Sequence, residues 1–263
     1  MGQYSKAETE GHLLIVTINR PEVYNALHPM ANQELSDIFD EFAVNPELWV
    51  AIITGAGDKA FSAGNDLKYH AELRAKTGGR PHSPPKGFGG LTNRHDLDKP
   101  VIAAVNGVAM GGGFEIALAC DIIIASDQAR FALPEPRVGL AAGASGMQRL
   151  SRTIPLKKAM GLMLTGRHVP AQEGYELGFV TAVVPHGLLM EEAKRWAGQI
   201  LECSPMSIRA TKQVVMRSLD VPALEMAMRN LSYPAYVAMA ASEDTVEGPK
   251  AFAEKRKPAW KGR

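Results

Sequence analysis

Cysteine and net charge are both scarce in this sequence. Only two of its 263 residues are cysteines, and Cys120 and Cys203 form no CxxC pair. Their separation argues against a disulfide framework and favours a reducing, cytoplasmic environment. The 29 Lys and Arg residues nearly balance the 28 Asp and Glu residues. A chain without a net field has no general attraction for nucleic acid or for an anionic membrane, so its partners must be inferred from local features.

Apolar segments long enough to cross a membrane are missing as well. Residues 1–10 are polar and lack the apolar centre of a secretory signal. The longest apolar stretch, residues 101–125, contains Asn106, Glu115, Asp121 and a run of three glycines. A helix that faces lipid would accept those residues only at a large cost in free energy. We therefore expect neither a membrane span nor export.

Motifs for metals and nucleotides are also absent. None of the seven histidines belongs to an HxxxH or HExxH pair, so the sequence predicts no catalytic metal. There is no GxxxxGK[ST] phosphate loop, and the glycines at 111–113 are not followed by the third glycine of a dinucleotide fingerprint. The usual signals for nucleotide hydrolysis and for a dinucleotide cofactor are therefore missing, and we expect no metal or redox cofactor.

Short apolar runs alternate with helical patterns in the first 186 residues. Residues 12–19, 50–54, 101–105 and 122–125 each predict a strand, and the last three are apolar enough to be buried on both faces. Residues 30–42 place apolar side chains three and four positions apart, which predicts an amphipathic helix. This alternation is typical of an α/β fold with crossover connections.

Two later segments depart from this pattern. Residues 68–99 have no apolar period and include KTGGRPHSPPKGFGG, residues 76–90. We expect a mobile loop there, either an exposed excursion or a cover over part of the substrate. After residue 186 only helical spacing remains, at 188–201, 205–219 and 223–241. We therefore divide the chain into a core, residues 1–186, and a helical region, residues 187–263, which must pack on the core or on another subunit.

A run of three glycines marks the first candidate site. The segment NGVAMGGGFE, residues 106–115, leads from a strand through the glycines into an apolar helical pattern. Amides at a helix N-terminus lack intrahelical partners and carry the positive end of the helix dipole, so they can stabilise a developing oxyanion. A second turn of small residues, FSAGNDL at 61–67, could also present amides to a ligand, or it could be an ordinary tight turn.

Two glutamates are candidates for acid and base catalysis. Glu115 lies in the first turn of the predicted helix between two apolar residues. A glutamate that complements a helix N-terminus gains only about 0.3–1 kcal/mol, and burying its carboxylate costs more, which favours a functional role. Glu135 lies between two prolines and, taken alone, also fits a surface loop. Two carboxylates that converge on one site could hold a water and act as acid and base.

Taken in order, these segments resemble the crotonase (enoyl-CoA hydratase/isomerase) superfamily over nearly the whole chain. The resemblance rests on NRP to NAL at 19–27, FSAGNDL at 61–67, NGVAMGGGFE at 106–115, CD at 120–121, PE at 134–135, QRL at 148–150 and EKRKP at 254–258. The segment FALPE, residues 131–135, is also similar to the carnitinyl-CoA dehydratase branch. That similarity allows for a substituted or branched acyl group.

The resemblance implies a spiral of ββα turns, followed by C-terminal helices that build a homotrimer or a dimer of trimers. It implies an oxyanion hole made by the amides of Ala63 and Gly112, and catalysis by Glu115 and Glu135. It also implies an acyl-CoA substrate and the residues that bind it: Val23, Tyr24, Ala26, Ala63, Asp66, Leu67, Lys68 and Gly111 in the core, with Phe252 and Lys255 from the C-terminal tail.

The two carboxylates limit the possible reactions more than the fold does, because one scaffold supports many chemistries. Isomerases of the family commonly keep only the carboxylate that matches Glu135, whereas hydratases keep both, as this sequence does. The resemblance therefore implies an enoyl-CoA hydratase in which Glu115 activates water and Glu135 delivers a proton to the α carbon. Two alternatives stay open. One is another reaction of the family, such as isomerisation, dehydration of a substituted acyl-CoA or thioester hydrolysis, and the other is a catalytically silent acyl-CoA-binding protein.

Overall fold

Ten strands form two β-sheets in a computed structural model that describes residues 2–78, 84–229 and 231–263. The strands are β1 (Ser5–Glu10), β2 (Leu13–Ile18), β3 (Val50–Gly55), β4 (Ala60–Ser62), β5 (Val101–Val105), β6 (Val108–Met110), β7 (Ile122–Ser126), β8 (Arg130–Ala132), β9 (Val169–Pro170) and β10 (Ala182–Val184). The larger sheet has the order β1-β2-β3-β5-β7-β10 and the smaller has the order β4-β6-β8-β9. Neighbouring strands are parallel except β1 with β2 and β8 with β9.

Successive turns of the chain place one strand in each sheet. The pairs β3 and β4, β5 and β6, and β7 and β8 each pass from the larger sheet to the smaller. The first two pairs lead into helices α2 (Leu67–Thr77) and α3 (Gly112–Ala119). The core is therefore a spiral of ββα turns, and the predicted fold class is confirmed.

Two hydrophobic clusters bury both faces of the larger sheet. Along β2 the side chains alternate, so Leu14 and Val16 belong to the main cluster, whereas Leu13 and Ile15 belong to the second. The main cluster includes residues of α1 (Pro29–Val44) and α3, and the second is covered by α7 (Leu189–Leu201). Burial on both faces explains why these strands are continuous apolar runs in the sequence. The predicted helix at 30–42 corresponds to α1 and is confirmed.

The remaining helices follow the spiral. They are α4 (Gly146–Thr153), α5 (Leu156–Thr165), α6 (Ala171–Leu177), α8 (Pro205–Ser218), α9 (Leu224–Arg229), α10 (Pro234–Ala240) and α11 (Glu243–Ala253). Because α7 packs on the larger sheet, the helical region begins in contact with the core. A division of the chain after residue 186 stays a prediction. In the part of the chain that the structure describes, no helix is long and apolar enough to cross a membrane.

Residues 67–77 form helix α2, so the expected irregular loop is wrong for this part. Asp66 caps the helix, because its Oδ1 accepts a hydrogen bond from the Tyr69 N–H at 3.1 Å. Its Oδ2 pairs with Arg20 at 3.0 Å. No residue of α2 is buried. A helix that buries no side chain leaves no apolar period in the sequence, which is why the pattern concealed it.

Residues 88–90 also differ from the expected mobile loop, because all three are buried. The Gly89 N–H donates to Asn32 Oδ1 on α1 at 2.7 Å. Phe88 packs so closely on Gly112 that a Cβ on that glycine would strike its ring. Residues 79–83, at the centre of the predicted loop, lie outside the described residues, so a mobile cover over the substrate stays a prediction there.

The helix predicted over 223–241 is interrupted. Helix α9 ends at Arg229 and α10 begins at Pro234, with Tyr233 in an extended conformation before it. Proline has no N–H to continue a helix and disfavours helical backbone in the residue before it. The sequence predicts one continuous helix because apolar residues keep their helical spacing on both sides of Pro234, and that spacing does not take the proline into account.

Exposed apolar side chains on the C-terminal helices predict self-association. Leu224 and Met228 lie one turn apart on α9 and are 75% and 69% exposed. Burying such side chains in an interface is worth about 1.5–3 kcal/mol each. We expect a homotrimer or a dimer of trimers, so light scattering should give three or six times the chain mass of 28.3 kDa.

The double variant Leu224→Glu, Met228→Glu should shift that mass toward the monomer. Val44→Glu serves as the matched control, because Val44 is 79% exposed at the end of α1, outside the C-terminal helices. It should leave the mass unchanged. A monomer mass for the wild-type protein at micromolar concentration would contradict the prediction.

Candidate active site

A cavity of about 1220 Å³ opens beside the first turn of α3. Its lining comes from the turn after β4, from residues 87–101, from α3, from residues 134–152 and from α8. A cavity of this size can hold a drug-sized ligand. Six of the predicted site residues lie on the lining: Ala63, Leu67, Gly111, Gly112, Glu115 and Glu135.

The amide of Gly112 is free to bind a ligand in this cavity. Gly112 is the first residue of α3, and the first amides of a helix have no partner within it. Across the described ranges, its N–H donates to no protein acceptor. Gly111, immediately before it, has φ 51° and ψ −123°, a conformation that favours glycine. The predicted donor role of Gly112 fits this geometry.

The amide of Ala63, in contrast, already has an acceptor. Its N–H donates to the carbonyl oxygen of Tyr24 at 2.9 Å. An oxyanion hole needs an amide that is free before the substrate arrives. The prediction that Ala63 supplies one of the two donors is therefore wrong.

Asn65, two residues further along, has the free amide that Ala63 lacks. It forms an isolated parallel bridge with Leu27. In this bridge the Leu27 N–H donates to Gly64 at 2.7 Å, and the Leu27 carbonyl accepts from Asp66 at 3.1 Å. In parallel pairing that pattern directs the N–H of Asn65 away from Leu27. Throughout the described chain no acceptor is paired with it, so Asn65 is the better candidate for the second donor.

Gly64 brings the two free amides to one place. A Cβ on Gly64 would lie 2.8 Å from the amide nitrogen of Gly112, and the φ of Gly64 is 85°. Both the contact and the conformation therefore require glycine. Asn65 and Gly112 flank this contact, and both line the cavity. Two N–H groups arranged in this way can stabilise a carbonyl oxygen that gains negative charge.

Glu115 is buried beside these amides. It is 3% exposed, and its Oε1 accepts a hydrogen bond from the Gly146 N–H at 2.8 Å. Burial is the main reason that the pKa of Glu115 is raised to about 7; the hydrogen bond from Gly146 lowers this pKa, and the nearby charge of Glu135 raises it. A carboxyl group with a pKa near neutrality can take up and release a proton under physiological conditions.

Glu135 faces the same space from the other side of Gly111. It begins a short 3-10 helix, Glu135–Val138. A Cβ on Gly111 would lie 2.8 Å from its Oε1. Its Oε2 is buried, and no group in the described residues donates a hydrogen bond to it. Burial raises the pKa of Glu135. A buried carboxylate oxygen without a partner is typical of a site completed by water or substrate.

Seven predicted binding residues do not line the cavity: Val23, Tyr24, Ala26, Asp66, Lys68, Phe252 and Lys255. Asp66 is engaged in capping α2 and in its ion pair with Arg20. Phe252 is on α11 and is 87% exposed, and Lys255 follows the end of that helix. Their role in binding coenzyme A stays a prediction.

Sequence reasoning missed three residues that shape the site. Asn65 stands inside the FSAGNDL turn, but only its bridge to Leu27 distinguishes its amide from that of Ala63. Gly146 ends a run of small residues, AAGASG at 141–146, and nothing in the sequence indicates that it contacts Glu115. Phe88 falls in the segment that the sequence predicts as a loop, although a lone aromatic residue among glycines is itself a signal of burial. In the described ranges, no group of three or more His, Cys, Asp or Glu side chains is placed to hold a metal.

Comparisons with known proteins identify the family of the chain. Residues 8–263 match the family model described as enoyl-CoA hydratase/isomerase. Carnitinyl-CoA dehydratase from Citrobacter koseri is 44% identical over 255 residues, which cover 96% of each chain. The protein of the same name from Escherichia coli K12 is 43% identical over the same share.

Solved structures agree as well. The crystal structure of an enoyl-CoA hydratase from Mycobacterium tuberculosis H37Rv superposes with a TM-score of 0.91 at 36% identity, and all of both chains is covered. The enoyl-CoA hydratase from Bacillus anthracis gives a TM-score of 0.88 at 34% identity over 99% of this chain and all of that one. The chain therefore belongs to the enoyl-CoA hydratase/isomerase family, the crotonase family, whose members act on acyl-CoA substrates.

Proposed function

We propose that this protein is an enoyl-CoA hydratase, which adds water to the α,β double bond of an acyl-CoA thioester or removes it in the reverse direction. One observation carries the proposal: the buried Glu115 and the half-buried Glu135, both with raised pKa values, face one cavity beside the free amides of Asn65 and Gly112. A binding protein has no need to bury two carboxylates at a cost in stability.

In the proposed mechanism the thioester oxygen accepts hydrogen bonds from the amides of Asn65 and Gly112. Addition at the β carbon places negative charge on that oxygen, and the amides stabilise the resulting enolate. Loss of one oxyanion donor typically costs roughly 3–4 kcal/mol of barrier. Supply of this donor by Asn65 in place of Ala63 leaves the chemistry unchanged.

The two glutamates handle the protons. A water molecule lies between the carboxyl groups, and hydration proceeds from the form of the pair in which Glu115 is ionised and Glu135 carries the shared proton. Glu115 takes a proton from the water as its oxygen bonds to the β carbon, and Glu135 gives its proton to the α carbon. The carboxyl groups then exchange a proton through solvent to restore the starting state. A base whose pKa is about 7 is matched to this task near neutral pH.

A second candidate is the dehydration of a substituted hydroxyacyl-CoA. The observation that favours it is the 43–44% identity to proteins named carnitinyl-CoA dehydratase. The same four groups would serve, because hydration and dehydration are one reaction run in opposite directions. A panel of linear, branched and γ-trimethylammonium acyl-CoA thioesters, assayed in both directions, separates the two candidate functions. The ratio of the kcat/KM values for the different thioesters shows which substrate class the enzyme prefers.

The first prediction concerns the paired carboxylates. Glu115→Gln and Glu135→Gln should each lower kcat for hydration of crotonyl-CoA at least about 10²-fold, with acyl-CoA affinity largely kept. The double variant should be little worse than either single one, because groups that act on one water fail together. Steady-state loss of the enoyl-thioester absorbance measures both effects. Near wild-type hydration by Glu115→Gln would overturn the proposed two-carboxylate mechanism, and the absence of hydration in every form would favour an isomerase or a binding protein.

The second prediction concerns the contact between Gly146 and Glu115. A Cβ on Gly146 would lie 2.9 Å from Glu115 Oε1, and Gly146 has no positive φ that would strain an alanine. Gly146→Ala should therefore fold normally, since alanine favours helices by up to about 1 kcal/mol over glycine, and should lower kcat about tenfold by displacing the carboxylate. Gly143→Ala is the matched control, because its Cβ would meet nothing closer than 3.7 Å. Equal kcat values for the two variants would contradict the proposed role of Glu115.

The third prediction follows from the raised pKa of Glu115. Between the ordinary pKa of 4.5 and the folded-state pKa of about 7, the folded protein binds more protons than the unfolded chain. The free energy of unfolding therefore falls as pH rises through this window. Above pH 7 the ionised carboxylate of Glu115 lowers the free energy of unfolding by up to about 3 kcal/mol. Glu115→Gln should raise Tm at pH 8 by several degrees and by clearly less at pH 5.

Thermal melts at fixed protein concentration measure this difference. Glu22→Gln is the control, because Glu22 is exposed and distant from the cavity lining. It should leave Tm unchanged at both pH values. An equal rise in Tm for Glu115→Gln at pH 5 and pH 8 would mean that the cost of ionising Glu115 is absent.

A further inference from the structure

A histidine contacts the side chain of the residue that provides the second free amide. His70 is in the first turn of α2, and its Nδ1 lies 3.2 Å from Asn65 Nδ2. A carboxamide nitrogen only donates hydrogen bonds. Nδ1 is therefore the acceptor, and the neutral ring carries its proton on Nε2.

The surroundings of His70 favour this neutral form. Burial lowers the pKa of His70, and the charge of Asp66 acts in the opposite direction. Asp66 is itself held by Arg20 at 3.0 Å. Two further titratable groups lie nearby: His28 before α1, whose ring faces Tyr69, and Arg74, one turn further along α2 itself. Near neutral pH the ring can therefore accept from Asn65.

Apart from the hydrogen bond to His70, few contacts fix the side of Asn65 that faces α2. Its neighbours in sequence are fixed by Leu27, through Gly64 and Asp66, but those bonds lie on the opposite side of the turn. No side chain of α2 is fully buried, although Tyr69, His70 and Leu73 are half-buried, so packing anchors the helix only in part. A single polar contact counts for more where little packing supports the same geometry.

We propose that His70 is a positioning residue, which holds the Asn65 carboxamide and thereby keeps the Asn65 N–H aligned with the thioester oxygen. This inference rests on the proposed role of Asn65 as an oxyanion donor. It adds a residue outside the cavity lining to the catalytic arrangement. It also makes the alignment depend on the protonation state of His70, because a protonated Nδ1 repels the N–H that it now accepts.

The first test is independent of activity. NMR titration should give His70 in the wild-type protein a lower pKa than in Asn65→Ala, because the Asn65 bond stabilises only the neutral ring. A hydrogen bond worth about 0.5–1.5 kcal/mol corresponds to a shift of about 0.4–1 unit. Asn93→Ala is the matched control, since it removes a different Asn–His contact, also of 3.2 Å, to His95. It should leave the His70 pKa unchanged, and an unchanged His70 pKa in Asn65→Ala would overturn the proposal.

The second test measures turnover. Misalignment of a reacting group by a fraction of an ångström should lower kcat about tenfold, so we expect that loss in His70→Ala with KM changed less than about threefold. His70→Asn places a carboxamide oxygen near the position of Nδ1 and should recover most of kcat. In the Asn65→Ala background, the additional change His70→Ala should lower kcat little further. Equal impairment of His70→Asn and His70→Ala, or additive losses in the double variant, would overturn the positioning role.

These tests separate the inference from the proposed function. Wild-type protein that turns over no enoyl-CoA would refute the hydratase proposal and with it the role of His70 in positioning a donor. Normal turnover together with an unshifted His70 pKa would refute the positioning role alone.

Discussion

The backbone contact between Gly64 and the start of α3 is the constraint on which the site depends. It sets two chain segments, separated by almost fifty residues of sequence, at a distance that only a residue without a side chain permits. The amides of Asn65 and Gly112 come together because of this contact, and each becomes free for a separate local reason. The spiral of ββα turns repeats the same passage from sheet to sheet, so that neighbouring turns meet at this point.

The buried carboxylates show a conflict between stability and chemistry. Glu115 receives a hydrogen bond from Gly146, which compensates part of its burial, whereas Glu135 Oε2 receives none from the described residues. A core built for stability alone would satisfy or remove such groups. Glycines at 111 and 146 keep the space around both carboxyl groups free of side chains. The space that these glycines leave gives a ligand access to the carboxyl groups, and the poorly compensated burial of those groups lowers the free energy of unfolding.

Much of this architecture could be predicted from the sequence, and the errors have physical causes. The buried strands were visible because both of their faces are apolar, and the start of α3 was visible because three glycines precede an apolar helix. The choice between Ala63 and Asn65 depends on which amides Tyr24 and Leu27 occupy, which is a property of tertiary hydrogen bonding. Helix α2 escaped detection because it buries no side chain, and Pro234 divides a helical pattern that apolar spacing alone makes continuous.

The exposed character of α2 has a consequence for substrate entry and product release. Coenzyme A is bulky, and an acyl-CoA must pass a boundary of the cavity to reach the glutamates. Movement of α2 away from the core would expose no fully buried side chain. It is opposed by the half-buried Tyr69, His70 and Leu73 and by polar contacts such as Arg20 with Asp66 and Asn65 with His70. Segments of low local stability open most often, and such opening frequently limits the turnover of enzymes. Because Asn65 lies just before α2 in the chain, movement of this helix would also move the proposed oxyanion donor, and product release would then depend on the same few hydrogen bonds.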